Sequence, residues 1–108
     1  MRMVDEKSIL DLRDRIAQEF QPERIILFGS YASGAARADS DLDILVIVRH
    51  GSSGPKRAAE ILRRLNPRIP VDLVVRTSEE INRRLRANDF FLAEVLNHGR
   101  VLYEASNP

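Results

Sequence analysis

Apolar residues recur along this chain at helical spacing in some stretches and at alternate positions in others, and the change of period marks its elements. From Asp5 to Phe20, the residues Ile9, Leu12, Ile16 and Phe20 share one helical face while Arg13, Asp14 and Glu19 fill the other. That pattern predicts an amphipathic helix stopped near Pro22. Arg24 to Phe28 (RIILF) is a short run rich in β-branched residues, ended by Gly29, and predicts a buried strand. The small residues from Ser30 to Ala36 suit a short helix or helical turn directly after it. Leu42 to Val48 (LDILVIV) gives the clearest strand: Leu42, Ile44, Val46 and Val48 fill one face, and Leu45 and Ile47 the other. With both faces apolar, this strand is central.

The second half continues the alternation. Pro55 suits the first residue of a helix whose Ala58, Ile61, Leu62 and Leu65 share a face, and Asn66-Pro67 ends it. Val71 to Val75 (VDLVV) predicts a third strand. Thr77-Ser78-Glu79-Glu80 then forms a capping box for a helix carrying Ile81 and Leu85. A last helix from about Asp89 is expected to bury Phe90 or Phe91 with Leu92, Val95 and Leu96, and to close on Asn97-His98-Gly99 as a C-cap. Val101 to Tyr103 adds an edge strand. Helices and strands alternating in this way predict an α/β (α+β) domain, a small mixed β-sheet flanked by helices.

Composition narrows the class. A chain of 108 residues is the length of one domain, expected to span 1–108. Seventeen basic and 16 acidic residues leave a net charge of +1, so no overall field favours nucleic acid or an anionic membrane. The absence of cysteine excludes a disulfide framework, a thiol nucleophile and a cysteine zinc site, and fits a reducing cytoplasm. The apolar runs are too short to span a bilayer, and Asp5 and Glu6 interrupt any signal-peptide core, so the expected location is cytoplasmic.

The candidate chemistry lies in acids placed among apolar positions. Asp41 and Asp43 are two residues apart at the entrance of the central strand, which on an extended chain gives one side and about 7 Å between Cα atoms. Asp72 shares a strand face with Val74 in the next strand. Carboxylates buried without partners are strongly disfavoured, and converging ones repel each other. A hard divalent cation resolves the conflict, and Mg²⁺ is commonly shared between a few carboxylates and substrate phosphates. Upstream, Gly29-Ser30 follows a strand and opens a helical turn, offering backbone N–H groups and a hydroxyl to a phosphate. Together these parts suit a metal-bound nucleoside triphosphate.

Gly29-Ser30, ten intervening residues, Asp41-Leu42-Asp43 and a third acid at Asp72 resemble the signature of the nucleotidyltransferase superfamily of DNA polymerase β, in particular its minimal nucleotidyltransferase members. The resemblance extends to the order of elements from Arg24 to Tyr103. It implies that Asp41 and Asp43 bind Mg²⁺, and that Asp72 completes a site for a second ion and favours deprotonation of the acceptor hydroxyl. Attack on the α-phosphorus of ATP then releases pyrophosphate. Many members carry arginine in a GSxARG segment where this chain has Ser33, which implies weaker phosphate affinity or activity. Members of this kind commonly act as antitoxins that add AMP to a tyrosine of a partner HEPN-domain toxin. The resemblance therefore implies a protein adenylyltransferase with that partner. Two other readings accompany it: a binding module that neutralises a toxin by contact, and a transferase for a small-molecule or RNA hydroxyl.

Simpler readings apply elsewhere. Asp39 suits a turn before the strand. A calcium loop over Asp39-Ser40-Asp41-Leu42-Asp43 fails, because its sixth position is Ile44 and its twelfth His50. The arginines between Arg63 and Arg86 read as solvated helix faces. His50 and His98 have no recognisable ligand partner in the sequence, and Tyr31 and Tyr103 read as packing residues.

Overall fold

The computed structural model describes residues 3–106. Helix α1 (Glu6–Phe20) is opened by Asp5, whose carboxylate accepts the Ser8 N–H at 2.9 Å. Hydrogen bonding from the Ser8 side chain, and then from its backbone N–H, holds the Asp5 carboxyl below the usual range. The helix ends at Gln21 in the left-handed conformation, one residue before Pro22. Strand β1 (Arg24–Phe28), the four-residue helix α2 (Ser30–Ser33) and strand β2 (Leu42–Val48) follow. Helix α3 (Gly54–Leu65) crosses to strand β3 (Val71–Thr77). Thr77 then caps helix α4 (Ser78–Arg86) through the expected reciprocal bonds with Glu80. Helix α5 (Phe90–His98) leads into strand β4 (Arg100–Glu104).

The sheet order is β3-β2-β1-β4, with β2 parallel to β3 and β1 antiparallel to both of its neighbours. A parallel pair needs a crossover, and α3 supplies it. The crossover lays α3 beside α1 on one face of the sheet. There Ile9, Leu12, Ile16, Ile61 and Leu65 pack against Ile25, Leu27, Leu42, Ile44 and Val46. On the opposite face, Ile81 of α4 and Leu92 and Val95 of α5 cover Ile26, Leu45 and Ile47. As its two apolar faces imply, β2 is an inner strand, and β4 lies at an edge.

One expectation for α5 is corrected. Neither Phe90 nor Phe91 is buried: Phe90 is 84% exposed and Phe91 52%. Asp89 accepts the Leu92 N–H at 3.1 Å and so sets the phase of the helix, turning Leu92 and Val95 inward. Phe91 is left at the flank, its ring edge-on to Phe28 at 5.6 Å. Gly99 ends the helix as its C-cap, as expected, in an extended conformation (φ −73, ψ 164). Glycine is required there by close approach: a Cβ would stand 2.4 Å from the Val95 carbonyl oxygen and 2.6 Å from Ile26 Cγ2.

Candidate active site

Strand pairing assembles the acids. Asp43 of β2 pairs with Phe28 on one side and with Asp72 of β3 on the other. Residues paired across a sheet share a face, so Phe28, Asp43 and Asp72 form one row. It is the row at the rim of the face covered by α4 and α5. The next positions inward, Ile26, Leu45 and Val74, belong to that apolar layer. Neighbouring strands lie about 4.8 Å apart, so the two carboxylates are near neighbours.

Asp43 is half-buried, whereas Asp41 and Asp72 are exposed. Burial pushes the Asp43 carboxyl above its ordinary range, and the negative charges of Asp72 and Asp41 push in the same direction. All three acids therefore share one local field. The expected burial of all three is corrected: β2 begins at Leu42, so Asp41 lies just before the strand in solvent rather than alternating within it. Asp72 stays exposed because β3 is an edge strand and nothing covers its rim position. No polar or charged side chain is fully buried among the described residues.

Gly29 closes the other side of Asp43. Its backbone (φ 72, ψ −151) lies in a region essentially confined to glycine. A Cβ there would stand 2.1 Å from Asp43 Oδ2, so the carboxylate lies directly against the bare Cα. Ser30, half-buried, is the first residue of α2. Gly29 carbonyl oxygen accepts from the N–H groups of Ala32 and Ser33, both at 3.1 Å, which locks the turn. The Tyr31 hydroxyl accepts the Val4 N–H at 3.0 Å and ties α2 to the segment before α1, the packing role expected of it. The stretch after α2 turns at Arg37–Ser40, where the Ser40 hydroxyl accepts the Arg37 N–H at 2.8 Å. Asp39 is exposed in that turn.

Among the described residues, no group of three or more His, Cys, Asp or Glu side chains is close enough to hold a metal ion unaided. The expected triad thus resolves into an in-register pair, Asp43 and Asp72, with Asp41 at its entrance. This donor set still fits Mg²⁺. It is all hard oxygen, its like charges repel until a cation joins them, and Mg²⁺ usually takes one or two carboxylates and completes its shell with phosphate oxygens and water. Most arginines between Arg63 and Arg86 are exposed as expected; Arg64 bonds Glu19 and Arg84 pairs with Asp89 at 3.7 Å.

The sequence reading missed two neighbours of this site. Phe28 occupies the same row as the acids, and the α5 end carrying His98 reaches Gly29, where the two line a common groove. Both follow from β1 being paired on each side, a long-range fact without a local signal.

Comparison with known proteins shows the family to which this fold belongs. A family model described as "Nucleotidyltransferase domain" matches residues 9–102. A relative from Methanocaldococcus jannaschii, "Putative protein adenylyltransferase MJ0604", is 30% identical over 105 residues, covering 94% of this chain and all of the relative. Among solved structures, a "putative nucleotidyltransferase" from Sulfolobus solfataricus superposes with a TM-score of 0.57 at 26% identity, covering 71% of this chain and 70% of the other. A crystal structure described as "the toxin-antitoxin with AMP-PNP" superposes with a TM-score of 0.55 at 27% identity, covering 95% of this chain and 76% of that one.

Proposed function

The chain belongs to the nucleotidyltransferase domain family, and from that premise we propose that it is an ATP- and Mg²⁺-dependent protein adenylyltransferase. In this reading residues 1–108 act in the cytoplasm as one minimal nucleotidyltransferase domain. Its acceptor is a hydroxyl, a tyrosine of a HEPN-domain toxin that it silences as an antitoxin. The observation that carries the reaction is the in-register pair Asp43–Asp72 beside Gly29. The adenylyl donor and the toxin partner are supported by the relative named as a protein adenylyltransferase and by the toxin-antitoxin neighbour with AMP-PNP.

Within this reading, Gly29 and Ser30 hold the phosphates. The acceptor oxygen attacks the α-phosphorus, the bond to the bridging oxygen breaks, and pyrophosphate leaves with the electron pair. Asp72, the more exposed of the pair, faces the arriving acceptor and favours loss of its proton. Asp43, Asp72 and Asp41 are the residues that would hold one or two Mg²⁺ ions, which when bound neutralise charge on the attacking and leaving oxygens. Gly29 lets the phosphate backbone contact and the Asp43 carboxylate stand side by side, because no Cβ separates them.

One observation favours a second reading. Ser33 is exposed and its hydroxyl donates to the Ser30 carbonyl at 3.3 Å, so α2 offers no cation to the phosphates, and neutralisation by contact alone becomes the alternative. Intact-mass spectrometry of the chain incubated with ATP, Mg²⁺ and the protein encoded beside it separates the two. A partner heavier by AMP units supports transfer, whereas inhibition of the partner with no added mass supports contact.

A further inference from the structure

A groove of about 260 Å³ opens at Gly29, lined by Gly29, Ala32, Ser33, Glu94, His98 and Gly99. Strand register explains why the end of α5 is there. Leu27 of β1 pairs with Arg100, the first residue of β4, so the end of α5 that immediately precedes β4 lies at the Gly29 end of β1. Gly99 makes the approach possible, since its bare Cα lies against Ile26 and the Val95 carbonyl. The groove therefore has α2 as one wall and the last turn of α5 as the other.

Of the described residues lining this groove, His98 is the one able to carry positive charge. The Ser33 hydroxyl is turned back onto the Ser30 carbonyl. His98 Nε2 lies 3.8 Å from Glu94 Oε2, one helical turn earlier, and both side chains are largely exposed, 71% and 72%. Exposed pairs of this length hold weakly, so a more highly charged anion can draw the imidazole away from Glu94. An imidazole N–H to a phosphate oxygen is a charge-assisted bond of the stronger kind.

We propose that His98 binds the β- and γ-phosphates of the nucleoside triphosphate, the part that departs as pyrophosphate, and that it supplies the side-chain N–H donor α2 lacks. The inference rests on the nucleotidyl-transfer reading of the Asp43–Asp72 pair. When the bond between the α-phosphorus and the bridging oxygen breaks, the electron pair goes to pyrophosphate, and His98 donates a hydrogen bond to that anion without being consumed. Glu94 in the same groove opposes retention of the anion and assists its release.

Calorimetric titration of the full chain with MgATP, with inorganic pyrophosphate plus Mg²⁺, and with AMP tests the assignment. His98→Ala is expected to weaken MgATP and pyrophosphate by about tenfold each, the loss of one charge-assisted contact, while AMP binding stays unchanged. His98→Arg should restore both, and Glu94→Gln should tighten pyrophosphate. A purely structural role for His98 would not separate pyrophosphate from AMP. Equal pyrophosphate affinity in wild type and His98→Ala overturns the proposal, as does a loss confined to AMP, which would assign the groove to the nucleoside. A wild-type chain that binds neither MgATP nor pyrophosphate overturns the nucleotide reading itself.

Discussion

The two faces of β2 are built for opposite purposes on the same seven residues. Toward α1 and α3, Leu42, Ile44 and Val46 are completely sealed, each 0% exposed. Toward α4 and α5, Leu45 and Ile47 are sealed too, but the row ends at half-buried Asp43, alongside Asp72. The difference is one of helix coverage. At the rim of the α4–α5 face the cover is partial: Phe91 of α5 packs on Phe28, while Asp43 in the same row stays half-buried and Asp72 exposed. The sealed layers form the core, and the acids of the proposed site lie at the rim.

Substitutions at adjacent positions 43 and 44 separate these purposes most sharply. Ile44→Ala removes buried methyl and methylene groups from the sealed face and should cost about 2–5 kcal/mol of unfolding free energy, measured by denaturant titration. Transfer below the variant's melting temperature should persist. Asp43→Asn, one residue away, should lower transfer at least about a hundredfold, since metal charge stabilisation is worth several kcal/mol. Asp72→Asn should act in the same direction. Wild-type transfer rates in both variants would show that the acids are not the reacting site.

Gly29→Ala tests whether the rim geometry itself matters. The positive-φ backbone and the 2.1 Å approach to Asp43 Oδ2 should together cost about 1–3 kcal/mol of stability, with a larger proportional loss of transfer because the carboxylate must move. A fully active, equally stable variant would mean that the close approach is incidental.

The smallest effect has a definite sign. The Asp43 carboxyl is raised by burial and by the charges of Asp72 and Asp41, so the folded state binds its proton more tightly than the unfolded state. Stability linked to this group is present at low pH, is lost as pH rises through the raised value, and stays lost at neutral pH. Asp43→Asn should therefore raise the melting temperature at pH 7 in the absence of divalent cations. The gain should shrink as pH falls through the raised value and be gone below the ordinary aspartate value of about 3.9. A variant less stable than wild type at pH 7 would show that the carboxylate supports the fold.

Periodicity alone determined most of the architecture. The bounds of β1 and β2, the inner position of β2, the Thr77 capping box and the edge placement of β4 are all legible because each rests on local spacing or on a side chain bonding its own backbone. The sequence also marked Gly29, Ser30, Asp41, Asp43 and Asp72 as a group, since acids among apolar strand positions conflict with burial. Tertiary structure decided what that conflict amounts to. Exposure of Asp72 depends on β3 being an edge strand, and exposure of Phe90 and Phe91 depends on Leu92 and Val95 being the residues of α5 that meet the sheet. The meeting of His98 with Gly29 depends on a β1–β4 register that joins residues about seventy positions apart. Short-range hydrogen bonding and burial period are written in neighbouring residues, whereas pairing partners and helix coverage are properties of the packed whole.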